Sequence, residues 1–224
     1  MARRFLFVLV VFLAPILAFS ATIHVPADQP TIQTGIDVAV NGDTVLIAPG
    51  NYVGDINFLG KAIQVIGLDG MESTFLSGAV LFNSSEDTTS VLAGLSIRNS
   101  SGIRCDGGSP IIRFCDISNC ASDGDGGGIL CWNGSRAKIR YNQIHDNIAC
   151  NSCSGGGIGI DASSGEVEIS FNLIYSNTSG HGCGIAVFNG SSGARIFRNI
   201  IYKNTGIEYY GGGIYCNGQD IEII

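Results

Sequence analysis

Charge is scarce in this chain, and positive charge scarcest. Charged residues make up 14% of the sequence, with 12 Lys and Arg against 19 Asp and Glu. No long stretch repeats apolar residues at helical spacing, no Pro/Ser-rich linker or low-complexity tract divides the chain, and no cysteine precedes Cys105. Too few cations argue against nucleic acid, whose binding rests on Lys and Arg neutralising phosphates. They argue equally against polyanionic sugars unless a divalent cation bridges them. The missing helical pattern, beside 32 glycines, points to a turn-dense, all-β chain. The missing linker points to one domain.

Residues 1–20 read as a secretory signal. Arg3-Arg4 form its basic end, Phe5 to Phe19 the apolar run, and Ala18-Phe19-Ser20 a small-x-small cleavage site. The run is short and broken by Pro15, which disfavours a membrane anchor and leaves no transmembrane segment expected in the mature chain. No cysteine follows the cut, so lipid anchoring is not indicated. Removing Arg3 and Arg4 leaves 10 of the 12 basic residues against 19 acidic ones. The expected location is secreted or cell-surface.

What the chain does have is repetition. Gly-rich entries precede Ile129, Ile158, Ile185 and Ile214, at steps of 29, 27 and 29 residues. The first three are followed by strands with Asn at a fixed place: Ile139 to Ile144, Ile169 to Ile174 and Ile196 to Ile201. A repeat of this length holds two or three short strands and cannot bury its apolar face alone. Copies must stack, which predicts a parallel β-solenoid. Asn142, Asn172 and Asn199 then form one internal ladder, with Cys115 before it, and Asn147, Asn177 and Asn204 a second, continued by Cys120. Each amide is expected to bond the next while its own backbone makes the turn.

Upstream, Ile32, Ile36, Ala39 and Val40 recur at helical spacing after Pro30, predicting a short capping helix over the first rung. The expected organisation is a leader over 1–20, a cap and first strands over 21–60, and rungs over 61–224. The last residues, Glu222-Ile223-Ile224, align inside a strand. The expectation is a truncated chain that associates through its last strand. Pro30-Thr31-Ile32-Gln33, Gly42-Asp43-Thr44-Val45, Ala48-Pro49-Gly50-Asn51-Tyr52 and Gly60-Lys61-Ala62-Ile63 resemble the opening of pectin-lyase-like right-handed parallel β-helix proteins. With the G-G-G-I and I-x-x-N repeats, the chain also resembles bacterial polymorphic outer-membrane-type surface proteins. That resemblance implies a right-handed parallel β-helix. It leaves function open, because the superfamily mixes lyases, hydrolases, epimerases, adhesins and proteins of no known activity.

In such a stack, equivalent residues lie about 4.8 Å apart, so functional groups are sought down columns. His145, Tyr175 and Tyr202 are expected to project outward as a flat row of rings, suited to stacking on sugars; ordinary β-propensity would also place them there. Phe114, Tyr141 and Phe171 form another aromatic column, expected to face the core and interrupted by Arg198. Lys138, Glu168, Arg195 and Glu222 alternate in sign and read as an ion-pair ladder, which removes Arg195 as a catalytic base. Asp125, Ser154, His181 and Tyr210 precede the Gly entries. His181 with Tyr210 is the better acid–base pair for an enzyme. Gly180-His181-Gly182 matches a hydrolase motif whose carboxylates are absent here.

Asp123 and Asp125 are the acidic pair from which calcium could draw oxygens, although solvated turn aspartates explain them as well; no other cofactor is expected. Eight cysteines in an exported chain suggest disulfides. Cys105 and Cys131 share a column, and Cys150-Asn151-Ser152-Cys153 suits a loop disulfide, with buried free thiols the alternative. Three functions remain: a non-catalytic scaffold binding a polysaccharide or cell-surface glycan, a polysaccharide-active lyase, hydrolase or epimerase, and a purely structural rod. An unpaired aromatic row favours the first; clustered Asp, Lys and His in one cleft favours the second.

Overall fold

The computed structural model describes residues 20–161, 165–190, 193–218 and 220–224, and only the backbone of 207–210. The expected leader lies outside these residues except for Ser20. Among them the strands form four parallel sheets wound around one core. Sheet 1 has nine strands, from Thr22–Val25 to Glu222–Ile223. Sheet 2 has seven, from Gly50–Val53 to Ile200–Tyr202, and sheet 3 seven, from Ile56–Asn57 to Ile214–Cys216. Sheet 4 is shorter, with four strands from Ala121–Ser122 to Thr205–Tyr210. In its later turns the chain visits sheets 1, 2, 4 and 3 in order, then climbs one rung. This is the expected parallel β-solenoid.

The core is a set of self-matching columns. In sheet 1, Val45, Val65, Leu92, Ile112, Ile139, Ile169 and Ile196 lie in register and are buried. Sheet 2 contributes Leu76, Ile97, Ile117, Ile144 and Ile174. Sheet 3 contributes Val80, Ile103, Ile129, Ile158 and Ile185. β-Branched side chains suit these positions because their stiff χ1 stacks methyls on the rung above. Each buried one contributes roughly 1.5–3 kcal/mol.

Both expected Asn ladders are present. The Asn142 amide nitrogens, backbone and side chain, donate to Asn172 Oδ1 at 2.9 and 3.0 Å. Asn172 donates in the same way to Asn199 Oδ1 at 2.9 and 3.0 Å. Asn147, Asn177 and Asn204 repeat the pattern at the next corner. Cys115 and Cys120 begin the two ladders through backbone N–H bonds to Asn142 and Asn147. The expected turn chemistry needs one correction. The left-handed residue is not Asn but the one before it: Phe114, Tyr141, Phe171 and Arg198 at the first corner, Asn119, Asp146, Ser176 and Lys203 at the second, all with φ between 52° and 57°. The asparagine is thereby freed to point inward and bond along the axis.

The Gly entries follow from the second ladder. A Cβ on Gly157 would lie 2.6 Å from the Gly184 carbonyl and 3.0 Å from Asn177 Nδ2. The first glycine of each entry, such as Gly155 at φ 74°, makes the left-handed bend that brings the chain in this close.

At the N-terminus, helix α1 spans Ile32–Val38, with a Thr31–Thr34 capping box and Ile32 and Ile36 buried. Val40, expected on its apolar face, is exposed, because the helix ends at Val38 and Ala39 turns extended. The opening motifs hold this region together. Lys61 Nζ donates to the carbonyls of Ile36, Asp37 and Ala39 at 2.7, 2.8 and 2.9 Å, anchoring the helix C-terminus. Asp43 accepts from the amides of Ala21 and Val40, and the Tyr52 hydroxyl donates to the Ala48 carbonyl.

Removing one ladder amide strands several buried partners. Asn172→Ala leaves the Asn142 side-chain amide its bond to the Ile112 carbonyl but takes the acceptor from the Asn142 backbone N–H, and should cost about 1–3 kcal/mol in equilibrium denaturation, the penalty of a buried orphan. A loss comparable to that of a surface substitution, about 0.5 kcal/mol or less, would contradict the ladder's role.

Candidate functional site

The outer face of sheet 2 carries the ring row. Ser118, His145, Tyr175 and Tyr202 are in-register partners flanking the inward Ile117, Ile144, Ile174 and Ile201. Strand alternation therefore turns the rings outward. The His145 and Tyr175 rings stack with centroids 4.6 Å apart and planes 8° apart; Tyr175 and Tyr202 follow at 5.1 Å and 13°. At one end of the row His145 is held through both ring nitrogens, Nε2 3.1 Å from Asp116 and Nδ1 2.7 Å from Asp146. The Asp116 hydrogen bond, opposed by burial and aided by Asp146, raises the pKa of His145 above the ordinary imidazole value. At the other end Lys203 Nζ lies 5.9 Å from the centre of the Tyr202 ring.

A second ring row lies beside the first, and its placement overturns an expectation. Phe114, Tyr141 and Phe171 are not in the core. Phe114 and Tyr141 are about half exposed, and the rings stack outside at centroid distances of 5.3 and 4.9 Å. The cause is the left-handed corner. Simple alternation after the inward Ile112, Ile139 and Ile169 puts these residues inside, but a positive φ breaks the alternation and swings them out. The same geometry accounts for Arg198, which takes the next corner and lays its guanidinium 5.4 Å over Phe171.

Between the two rows, Leu173 and Ile200 are in-register and outward. Tyr141, Phe171, Asn172, Leu173, Arg198 and Ile200 line a shallow groove of 370 Å³.

The Gly-entry column is stacked as expected: Ser154 bridges to His181, and His181 pairs with Tyr210. The Tyr210 side chain lies outside the described residues. A register shift between Ser179 and His181 accompanies that pairing, and the ring near His181 is Tyr215, at 5.7 Å. Asp125 accepts from the Ser154 amide at 2.6 Å; burial, with Asp161 as a lesser cause, raises its pKa above the ordinary carboxylate value. The Asp123 backbone carbonyl lies 3.9 Å from the Cys153 sulfur. Among the described residues no three His, Cys, Asp or Glu side chains gather as metal ligands.

A family model described as a right-handed β-helix region matches residues 61–223. The chain belongs to the right-handed β-helix family. No curated protein and no solved structure matches it.

Two further features of this right-handed β-helix were read in part from sequence. Of the charged column, Lys138, Glu168, Arg195 and Glu222 are in register, and Arg195 binds Glu222 at 2.8 Å. Glu168, however, pairs with Arg140 and not Lys138: Arg140 Nη2 donates to its Oε2 at 2.9 Å, and Nε lies 2.7 Å from Oε1 as an ion-pair contact. A guanidinium fork satisfies both carboxylate oxygens where an ammonium cannot. Cys150 and Cys153 form the loop disulfide, while Cys105 and Cys131 lie in register as buried thiols. Among the described residues no helix is long and apolar enough to cross a membrane.

The His145 anchor has a pH signature. A raised folded-state pKa means that its stabilisation is complete below the ordinary imidazole value, while Asp116 and Asp146 stay ionised. It is lost as pH rises through the folded value. The stability difference between the parent and His145→Gln should therefore shrink from about pH 5.5 towards about pH 9. A difference that stays flat or grows would contradict the two-carboxylate anchor.

Proposed function

We propose that this right-handed β-helix is an exported or cell-surface scaffold without catalytic activity of its own, binding a polysaccharide or cell-surface glycan. His145, Tyr175 and Tyr202 form the contact row. The single observation that carries this reading is the near-parallel stack of these rings, one per rung, on an outer sheet face. A ring held flat against its neighbour presents its edge and hydroxyl to a ligand at little further cost in rotamer entropy. The acidic body favours neutral glycans, or acidic ones bridged by calcium, for which Asp123 and Asp125 are the nearest turn carboxylates in this reading. Helix α1 serves here as the lid over the first rung, and residues 1–20 as the export leader.

One observation favours a second reading, a polysaccharide-active enzyme. Asp125, with its raised pKa, feels the charge of His181 across the Gly entries. Perturbed carboxyls near a histidine suit proton transfer. On that reading His181, with Tyr210 as the expected acid, would be essential for product formation from pectate or alginate.

A glycan array on the full chain identifies the ligand. Tyr175→Ala with Tyr202→Ala should weaken binding roughly tenfold to a hundredfold, because each ring contact contributes about 0.5–1.5 kcal/mol, and should leave the far-UV spectrum unchanged. Unchanged affinity would reduce the row to ordinary strand surface. Product formation lost in His181→Ala would establish the enzyme instead.

A further inference from the structure

We infer that the glycan site is a two-railed groove running along the solenoid axis, and that it takes an extended, unbranched, neutral chain rather than a single sugar or a branched terminus. The inference rests on the glycan reading above and adds a second rail, Tyr141 and Phe171, with Leu173 and Ile200 as the floor.

The two rails are built by different devices and arrive on the same side of the molecule. Tyr175 and Tyr202 are placed by strand alternation, and Tyr141 and Phe171 by left-handed corners. Both rows climb the solenoid one ring per rung, with centroid spacings of 4.9 Å between Tyr141 and Phe171 and 5.1 Å between Tyr175 and Tyr202. Ile200, 65% exposed, sits between them, in register with Leu173. A continuous aromatic and aliphatic strip is therefore open to water where a solenoid face could carry polar residues at no cost to its core.

The periodicity selects the occupant. A ligand that meets the same chemistry at each rung must itself repeat along the axis by a similar advance. An extended glycan does so, one pyranose after another, with its C–H groups against the exposed ring edges and its hydroxyls towards the tyrosine hydroxyls and water. A peptide strand would need backbone partners, and the face has none to offer. Leu173–Tyr175 is already paired with Gln143–His145 on one side and Ile200–Tyr202 on the other. The six residues that line the groove include no carboxylate, Asp116 joining the floor column only two rungs below Leu173, and the Arg198 guanidinium stands 5.4 Å from the centre of the Phe171 ring. That arrangement suits sugar hydroxyls and excludes no neutral chain. The remaining candidate, a second copy of this chain laid face to face, is an outcome of the test.

The test is calorimetric titration of the full chain with β-1,4-linked glucose oligosaccharides, from the disaccharide to the hexasaccharide. Parent affinity should rise steadily with length, by about tenfold or more overall. Tyr141→Ala with Phe171→Ala, and separately Ile200→Asp, should abolish that rise, so that the hexasaccharide binds no more tightly than the disaccharide. All three positions are partly or largely exposed, and unfolding midpoints confirm the fold of each variant. If the hexasaccharide binds both variants as tightly as the parent while Tyr175→Ala with Tyr202→Ala loses it, the second rail falls and the glycan reading stands. If no oligosaccharide binds the parent, both fall. Light scattering that shows a parent dimer, split by Ile200→Asp, overturns the groove by assigning the face to a second copy.

Discussion

Everything in this molecule depends on one requirement: each position must be compatible with its own equivalent one rung above. For apolar residues that is easily met. For a buried amide it is demanding, and the Asn ladders meet it by making each side chain both acceptor for the previous rung and donor to the next. The ladder in turn constrains the backbone around it. A glycine must sit where the Asn177 amide approaches Gly157, and a left-handed residue must precede each asparagine. The buried network is cooperative because each amide bonds both the next asparagine and a backbone carbonyl, Asn142 that of Ile112 and Asn172 that of Ile139.

The outer surface inherits the same repetition without needing it. Rings stack because the inner columns hold their strands in register, and a histidine and two tyrosines in successive rungs have nowhere to go but over one another. The proposed binding surface is a by-product of the ladder, made at corners and strands that the core has already fixed. This is how a fold that hosts unrelated activities can acquire a site by changing outward residues alone.

Much of this was legible in the chain. The steps between Gly entries and the recurrence of Asn142, Asn172 and Asn199 foretold the sheets, their parallel pairing and the ladders. The outward row of His145, Tyr175 and Tyr202 was also legible, because it lies within strands where alternation by two holds. The sequence reading failed where alternation stops. Phe114, Tyr141 and Phe171 were assigned inward by counting through a corner whose positive φ reverses the count. A bulky residue immediately before each ladder Asn was the available signal, since a corner between two inward positions leaves only the outside for a large ring. Glu168 was paired with Lys138 by register, whereas fork geometry gave it to Arg140. His181 and Tyr210 are register partners as the column count expects, and the Tyr215 ring, from the neighbouring sheet, also lies 5.7 Å from His181, which that count does not reach.

A glycan bound as proposed meets the outer face of sheet 2 and its adjoining corner. Methyl- and ring-resolved NMR of the full chain during oligosaccharide titration tests it most directly. The account requires the Leu173 and Ile200 methyls and the Tyr175 and Tyr202 rings to shift together, with Ile169 in the core and the Arg195–Glu222 pair unmoved. Shifts centred instead on His181 and Tyr215, with the sheet 2 face silent, would contradict it.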